Sequence, residues 1–274
     1  MVMGPTHAMS GAAAWLIGVG AITATTGYQQ SPIELAVYTA VCAGSALLPD
    51  LDCSGRVMTN QGGSTVARTF GVVSLFVAEC VEKFSLGVYK LTQSKKDGKR
   101  RNGHRTFTHT WIFAALIGFG LSALVANFER WTVIVTLFLT LGLAIRGLLA
   151  EWARKSGWVL ITITTTAVTI TAIQNLPTGR GYPLLGVAVG VGCFVHTLGD
   201  MITRAGCPVL WPMPIKGERW YEIGLTKSIA LRAGGAVETA VLLPALTILT
   251  IGAAIWQFPS SRQALEAAYS AVAA

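Results

Sequence analysis

Apolar residues occur along this chain in long runs separated by short polar clusters. Runs at roughly 9 to 26, 33 to 48, 110 to 126, 131 to 149, 157 to 174, 183 to 202 and 232 to 257 are each predicted to form a helix. Their length is the criterion, because a helix rising ~1.5 Å per residue needs about 20 apolar residues to cross ~30 Å of hydrocarbon. The segment 66 to 91, "VARTFGVVSLFVAECVEKFSLGVYKL", interrupts its apolar pattern with Glu79, Glu82 and Lys83. It is predicted to be an amphipathic, interfacial or re-entrant helix. The tail after Phe258 is alanine-rich, carries Arg262 and Glu266, and reads as a short surface helix.

Composition agrees with a lipid environment. Of 274 residues, 52% are hydrophobic and 12% charged, about half the charged fraction of an ordinary soluble domain. The expected fold is all-α, a polytopic integral membrane bundle of about seven or eight membrane-associated helices. It forms one domain over residues 1 to 274, with 53 to 103 as a basic insertion. The first run has no basic stretch before it and several spans after it, so it reads as a retained helix rather than a signal peptide. The five cysteines, Cys42, Cys53, Cys80, Cys193 and Cys207, show no CxxC spacing. They indicate neither a disulfide framework nor a cysteine zinc site.

Charge orients the bundle. Alternating the spans, with 66 to 91 returning to its own side, places only Arg130, Arg180 and Arg262 clearly on one face, leaving 18 of the 21 Lys and Arg on or near the other. By the positive-inside rule that second face is cytoplasmic, in a cell or inner membrane. The run "KKDGKRR", Lys95 to Arg101, contributes most and is placed to meet anionic headgroups. No nucleic acid is expected, since no recognition fold or aromatic interleaving accompanies the basic residues.

The same alternation gathers chemistry. His7, Asp50, Asp52, His104, His109, His196 and Asp200 sit at or near helix ends on that one face, and scattered structural histidines would not be expected to do so. Each motif alone has a plain alternative. "LLPDLD" (47 to 52) ends a span and offers two carboxylates two residues apart, which would otherwise be a polar cap. "HTLGD" (196 to 200) has the i, i+4 spacing that lets imidazole and carboxylate share one metal from one helix face. "HRTFTHT" (104 to 110) fits best with His104 in the loop or first turn and the helix beginning near Thr106 or Thr108. "THAMSG" (6 to 11) opens the first span and could be a lone interfacial histidine. Together these nitrogen and oxygen donors suit zinc, with manganese or iron possible, as one ion or two. Two ions ~3.5 to 4 Å apart would clamp the attacking and leaving oxygens of a phosphoester displacement.

Arg105, Arg204, Lys216 and Arg219 are candidate phosphate contacts, since arginine can fork onto phosphate oxygens. Trp211, Trp220 and Tyr221 are interfacial anchors or walls of a lipid groove. Arg146 and Glu151 are topology charges or support the ligands from behind. There is no GxSxG elbow, P-loop or dinucleotide fingerprint, and no internal repeat of the transporter kind. The glycines inside the spans, as in "GVAVGVGC" (186 to 193), are expected to allow close helix packing.

The order of these motifs, TH near the start, LLPDxD after the second span, HRxxTHT, then HxxxDxxTxxG followed by WP, resembles the YdjM-like family of inner-membrane metal-dependent hydrolases. The resemblance covers roughly residues 3 to 225, with Thr110 where the family motif usually has serine, and with 53 to 103 lacking an obvious counterpart. More distantly the set is similar to zinc-dependent phospholipase C, whose ligands His196 and Asp200 would match. The resemblance implies that the seven His and Asp residues bind metal. Asp50, His104, His109 and Asp200 are also expected to act in catalysis. The expected activity is hydrolysis of a phospholipid or other lipid-linked phosphate through a metal-activated water. The rival is a non-enzymatic membrane protein, either a metal-ion transporter or a scaffold docking a partner through the 95 to 101 loop. The oligomeric state is left open.

Overall fold

The structure, a computed structural model, describes residues 2–53, 66–176 and 182–258 together with 263 and 270. Arg180, Arg262 and Glu266 lie outside the described residues. Among the described residues the named α-helices are, in chain order, α1 (Gly4–Thr26), α2 (Pro32–Ser45), α3 (Gly71–Thr92), α4 (Trp111–Leu148), α5 (Ala150–Asn175), α6 (Pro183–Met201) and α7 (Leu243–Gln257). Among the described residues there is no β-strand, only isolated bridges in the segment after α6. Among the described residues seven stretches are long and apolar enough to cross a membrane: α1, Pro32–Asp52, Trp111–Phe128, Arg130–Leu148, α5, Leu184–Met201 and Glu238–Gln257. The chain is therefore an all-helical polytopic bundle.

Local sequence explains the ends. Gly27 ends α1 in the left-handed conformation (φ 72°) and returns its N–H to the Thr23 carbonyl, a conformation glycine reaches without steric cost. Ser31 and Glu34 form a reciprocal capping box at α2, with Pro32 as the first helical residue. Thr110 caps α4 by accepting the Phe113 N–H at 3.1 Å.

Two boundaries depart from the apolar pattern. α4 runs through both predicted spans, with non-helical angles at Phe128 as the break between them. α5 begins at Ala150 instead of 157, and Gly157 (φ 72°) interrupts it. The apolar run begins only at 157, and the stretch 150 to 156 is charged. Its alanines, Glu151, Arg154 and Lys155 are nevertheless good helix formers, and Arg146 holds the turn by donating to the Ala153 carbonyl at 3.0 Å.

α1, α2, α4 and α6 pack on one another as the core, with α5 against α4 and α7 against α1. α2 is held on two sides at van der Waals limit. A Cβ on Gly44 would fall 1.8 Å from the Thr140 carbonyl oxygen of α4, and one on Gly192 of α6 would fall 2.5 Å from the Cys42 carbonyl oxygen. These backbones meet closely because glycine stands at the crossing.

α3 packs across the 3₁₀ turn Pro49–Asp52. It buries Ser74, Ala78, Ser85 and Tyr89 and turns Val72, Val73, Phe76, Phe84 and Leu91 outward. Its C-terminal loop joins a lobe of turns after α6: Ser94 Oγ donates to the Gly217 carbonyl at 2.9 Å, and Trp220 N–H donates to Asp97 at 3.0 Å. This lobe and loop lie at the end of the bundle where the histidines collect.

Candidate metal centre

All seven predicted ligands meet. His7 comes from the first turns of α1, Asp50 and Asp52 from the turn after α2, and His104 and His109 from the segment before α4. His196 and Asp200 come from the last turns of α6. Each is buried, the most exposed being His104 at 6%. They form two donor groups, Asp50, Asp52, His104 and His109 in one and His7, His196 and Asp200 in the other. Contacts between the groups join them into one cluster.

The innermost atoms are four. His109 Nε2 lies 3.2 Å from His196 Nε2, 3.7 Å from Asp50 Oδ1 and 3.6 Å from Asp200 Oδ2. His196 Nε2 lies 3.7 Å from Asp50 Oδ1 and 3.9 Å from Asp200 Oδ2. Ligands at ~2.0 to 2.2 Å around a tetrahedral ion would stand about 3.3 to 3.6 Å apart, so the two imidazole nitrogens and the carboxylate oxygens facing them lie close to the spacing one ion would require.

Their orientation is set from behind. His196 Nδ1 lies 2.7 Å from the Ala46 carbonyl oxygen. A carbonyl can only accept, so Nδ1 carries the proton and Nε2 presents its lone pair inward. His109 Nδ1 faces Asp52 Oδ2 at 3.3 Å and Thr108 Oγ1 at 3.0 Å. Asp52 is engaged on both oxygens: Oδ1 meets His104 Nδ1 at 2.6 Å, while Oδ2 accepts from Thr108 Oγ1 at 2.5 Å and from the Arg105 N–H at 3.2 Å. It thus works mainly as the orienting carboxylate for two imidazoles. Asp50, by contrast, keeps Oδ1 buried without a hydrogen-bond partner.

His7 stacks on His196, with ring centroids 3.9 Å apart, and neither of its nitrogens has a hydrogen-bond partner. Its Nε2 is 3.5 Å from Asp200 Oδ1, so Asp200 presents one oxygen to the inner four and the other to His7. Orphaned buried atoms of this kind cost about 1–3 kcal/mol each, and a cation would satisfy them. His109 reports the same demand. Burial works against its charged form, but the nearby Asp52 carboxylate, with Asp200 behind it, outweighs this and pushes its pKa up to about 9. The donor set fits one ion at the inner four and leaves His7 and Asp200 Oδ1 for a second.

The four predicted phosphate contacts separate. Arg105 is buried, with φ 56°, and its guanidinium pairs with Asp200 Oδ2 at 2.9 Å and donates to the Gly206 carbonyl at 3.0 Å. Arg204, Lys216 and Arg219 are exposed. Lys216 stands over the Tyr221 ring, and Arg219 donates to the Thr92 carbonyl at 3.3 Å.

Three supporting groups had no signal strong enough to single them out. Thr108 is one threonine of three in its motif. The Cys207 thiol reaches Asp200 Oδ2 at 3.6 Å. Glu238 is buried beside the start of α1, where it accepts from Met3 N–H at 2.5 Å, Thr6 Oγ1 at 2.9 Å and Gly234 N–H at 2.8 Å. A single carboxylate inside the last apolar run was the available clue to Glu238.

No curated protein and no solved structure matches the chain, so the likeness to zinc-dependent phospholipase C rests on the HxxxD motif alone. A family model does match, described as YdjM inner membrane protein, and it covers residues 1–271. With seven candidate spans and a match over nearly its whole length, the chain is a multi-pass membrane protein belonging to the YdjM inner membrane protein family.

Proposed function

We propose that the chain is a metal-dependent hydrolase of the cytoplasmic membrane face, acting as a phosphoesterase on a phospholipid or another lipid-linked phosphate. The observation that carries this reading is the convergence of Asp50 Oδ1 and Asp200 Oδ2 on His109 Nε2 and His196 Nε2 at 3.6–3.9 Å, with the two nitrogens 3.2 Å apart. Bound there, zinc, or manganese or iron with the same donors, would supply a water activated near neutral pH and would offset charge developing on the phosphate.

The chain's own groups do the rest. Asp52 holds His104 through Nδ1, which leaves His104 Nε2 to carry a proton to or from the substrate, and His104 is the least buried imidazole of the cluster. Arg105, paired to Asp200, keeps that carboxylate charged and in place. The cluster lies at the ends of α1, α2 and α6 instead of mid-span, which favours an interfacial reaction over a transport pathway.

Metal content of detergent-purified protein is the direct test. Wild type should carry stoichiometric metal, and His196→Ala and Asp200→Ala should each lose it. Metal retained in full by both variants removes the assignment. Phosphate release from a panel of lipid phosphates, abolished by chelator, would support the hydrolase, whereas metal uptake into proteoliposomes with no turnover would support a transporter.

A further inference from the structure

Between the loop after α3 and the lobe after α6 lies a cleft of about 630 Å³ whose lining includes Tyr89, Lys99, Arg100, Arg101, Trp220 and Glu222. Clefts of several hundred Å³ are of ligand size. We propose that this cleft binds the phosphate of an anionic head group, with Lys99 and Arg101 as the residues that contact it.

The structure sorts the basic run "KKDGKRR" by what each member already does. Lys96 Nζ donates to the Lys216 carbonyl at 3.4 Å. Asp97 accepts from Trp220 N–H and from Ser94 N–H, which ties the loop to the lobe. Arg100 pairs with Glu222, lies over the Tyr89 ring and donates to the His104 carbonyl at 3.4 Å. Lys99 and Arg101 are exposed members of the run that line the cleft. With Glu222 matched by Arg100, Glu218 is the other carboxylate of the lining against Lys99 and Arg101, so the cleft keeps a positive surplus suited to phosphate.

The wall is fixed in place. A Cβ on Gly103 would fall 2.0 Å from the Glu82 carbonyl oxygen of α3, so the chain from the cleft to His104 lies directly against that helix. The aromatic side is equally built, with Trp220 buried, stacked on Trp211 at 4.9 Å and bonded through Nε1 to Thr92 Oγ1 at 3.2 Å. Arg100 and Asn102 thus link the cleft to the segment that carries His104. A head group held by Lys99 and Arg101 would lie beside the segment that carries His104. The link to turnover rests on the hydrolase reading, whereas binding itself does not.

The test is calorimetry on full-length protein in detergent with chelator present, so that bound metal plays no part. The probes are dihexanoyl phosphatidic acid, dihexanoyl phosphatidylcholine and inorganic phosphate. Wild type and His196→Ala should bind the phosphatidic acid alike, and Lys99→Ala/Arg101→Ala should weaken it at least tenfold. The charge-preserving pair Lys99→Arg/Arg101→Lys should retain it. Competition by inorganic phosphate would assign the site to phosphate as such, and binding of the lipid alone would assign it to the whole head. An affinity unchanged in the alanine pair, preference for the choline lipid, or no binding by wild type would overturn the proposal. Binding that persists in a protein shown to take up no metal keeps the cleft and removes the hydrolase.

Discussion

Asp50 and Asp52 are two residues apart in one turn and do different work. Asp50 keeps a free oxygen toward the inner donors, while Asp52 holds two imidazoles from behind. Asp52→Asn should therefore weaken zinc binding by ~10–100-fold without abolishing it, whereas Asp50→Asn should remove an inner donor and lose stoichiometric metal. Competition with a chelating dye on purified protein separates the two, and equal losses would contradict the division. That these seven His and Asp residues form one candidate set was legible in the sequence, because titratable side chains are expensive in an apolar chain and short polar motifs stand out against it. Their ranking was not legible, since it depends on which oxygen faces which nitrogen across four elements. Arg105 makes the same point: its residue type suggested phosphate, yet its left-handed backbone and the Thr203–Gly206 turn bring it onto Asp200.

At the level of elements, α2 and α7 carry the clearest consequences. Gly44 faces the Thr140 carbonyl so closely that a methyl group has no room. Gly44→Ala should cost about 1–3 kcal/mol through overpacking, read as a lower thermal midpoint in detergent, while Gly87→Ala, with open space at its Cβ, should not. α7 has no ligand of its own. Its preceding turn of π-helix, Glu238–Leu242, nevertheless begins with the carboxylate that fixes Met3 and Thr6, the cap and first turn just before His7. Glu238→Ala leaves those donors unpaired and should lower metal affinity through His7. A variant with wild-type affinity would show that Glu238 acts on folding alone. Apolar runs marked the spans because length and hydropathy are local properties. They marked the helix that follows the Gly157 break, missed the charged helical turns 150 to 156 before it, where helix propensity persists through charge, and were silent on which helix ends meet.

For the whole molecule, the decisive quantity is the side of the membrane on which the cluster opens. Basic residues of the 95 to 101 loop and of the lobe after α6 share the histidine end of the bundle, joined by the Ser94–Gly217 and Arg100–Glu222 contacts, whereas the α1–α2 connection around Gln29 lies at the far end of α1 from His7. The cost of translocating short basic loops therefore predicts that the cluster and the cleft beside it face the cytoplasm. Cys80 is exposed, while Cys42, Cys53, Cys193 and Cys207 are buried, so Cys80→Ser gives a background on which single cysteines can be read. On that background Gln29→Cys should react with a membrane-impermeant maleimide in intact spheroplasts, and Lys99→Cys should react only after the membrane is opened. The reverse pattern would place the metal centre outside the cell, and with it any substrate phosphate, so a hydrolase there would have to act on lipids of the outer leaflet.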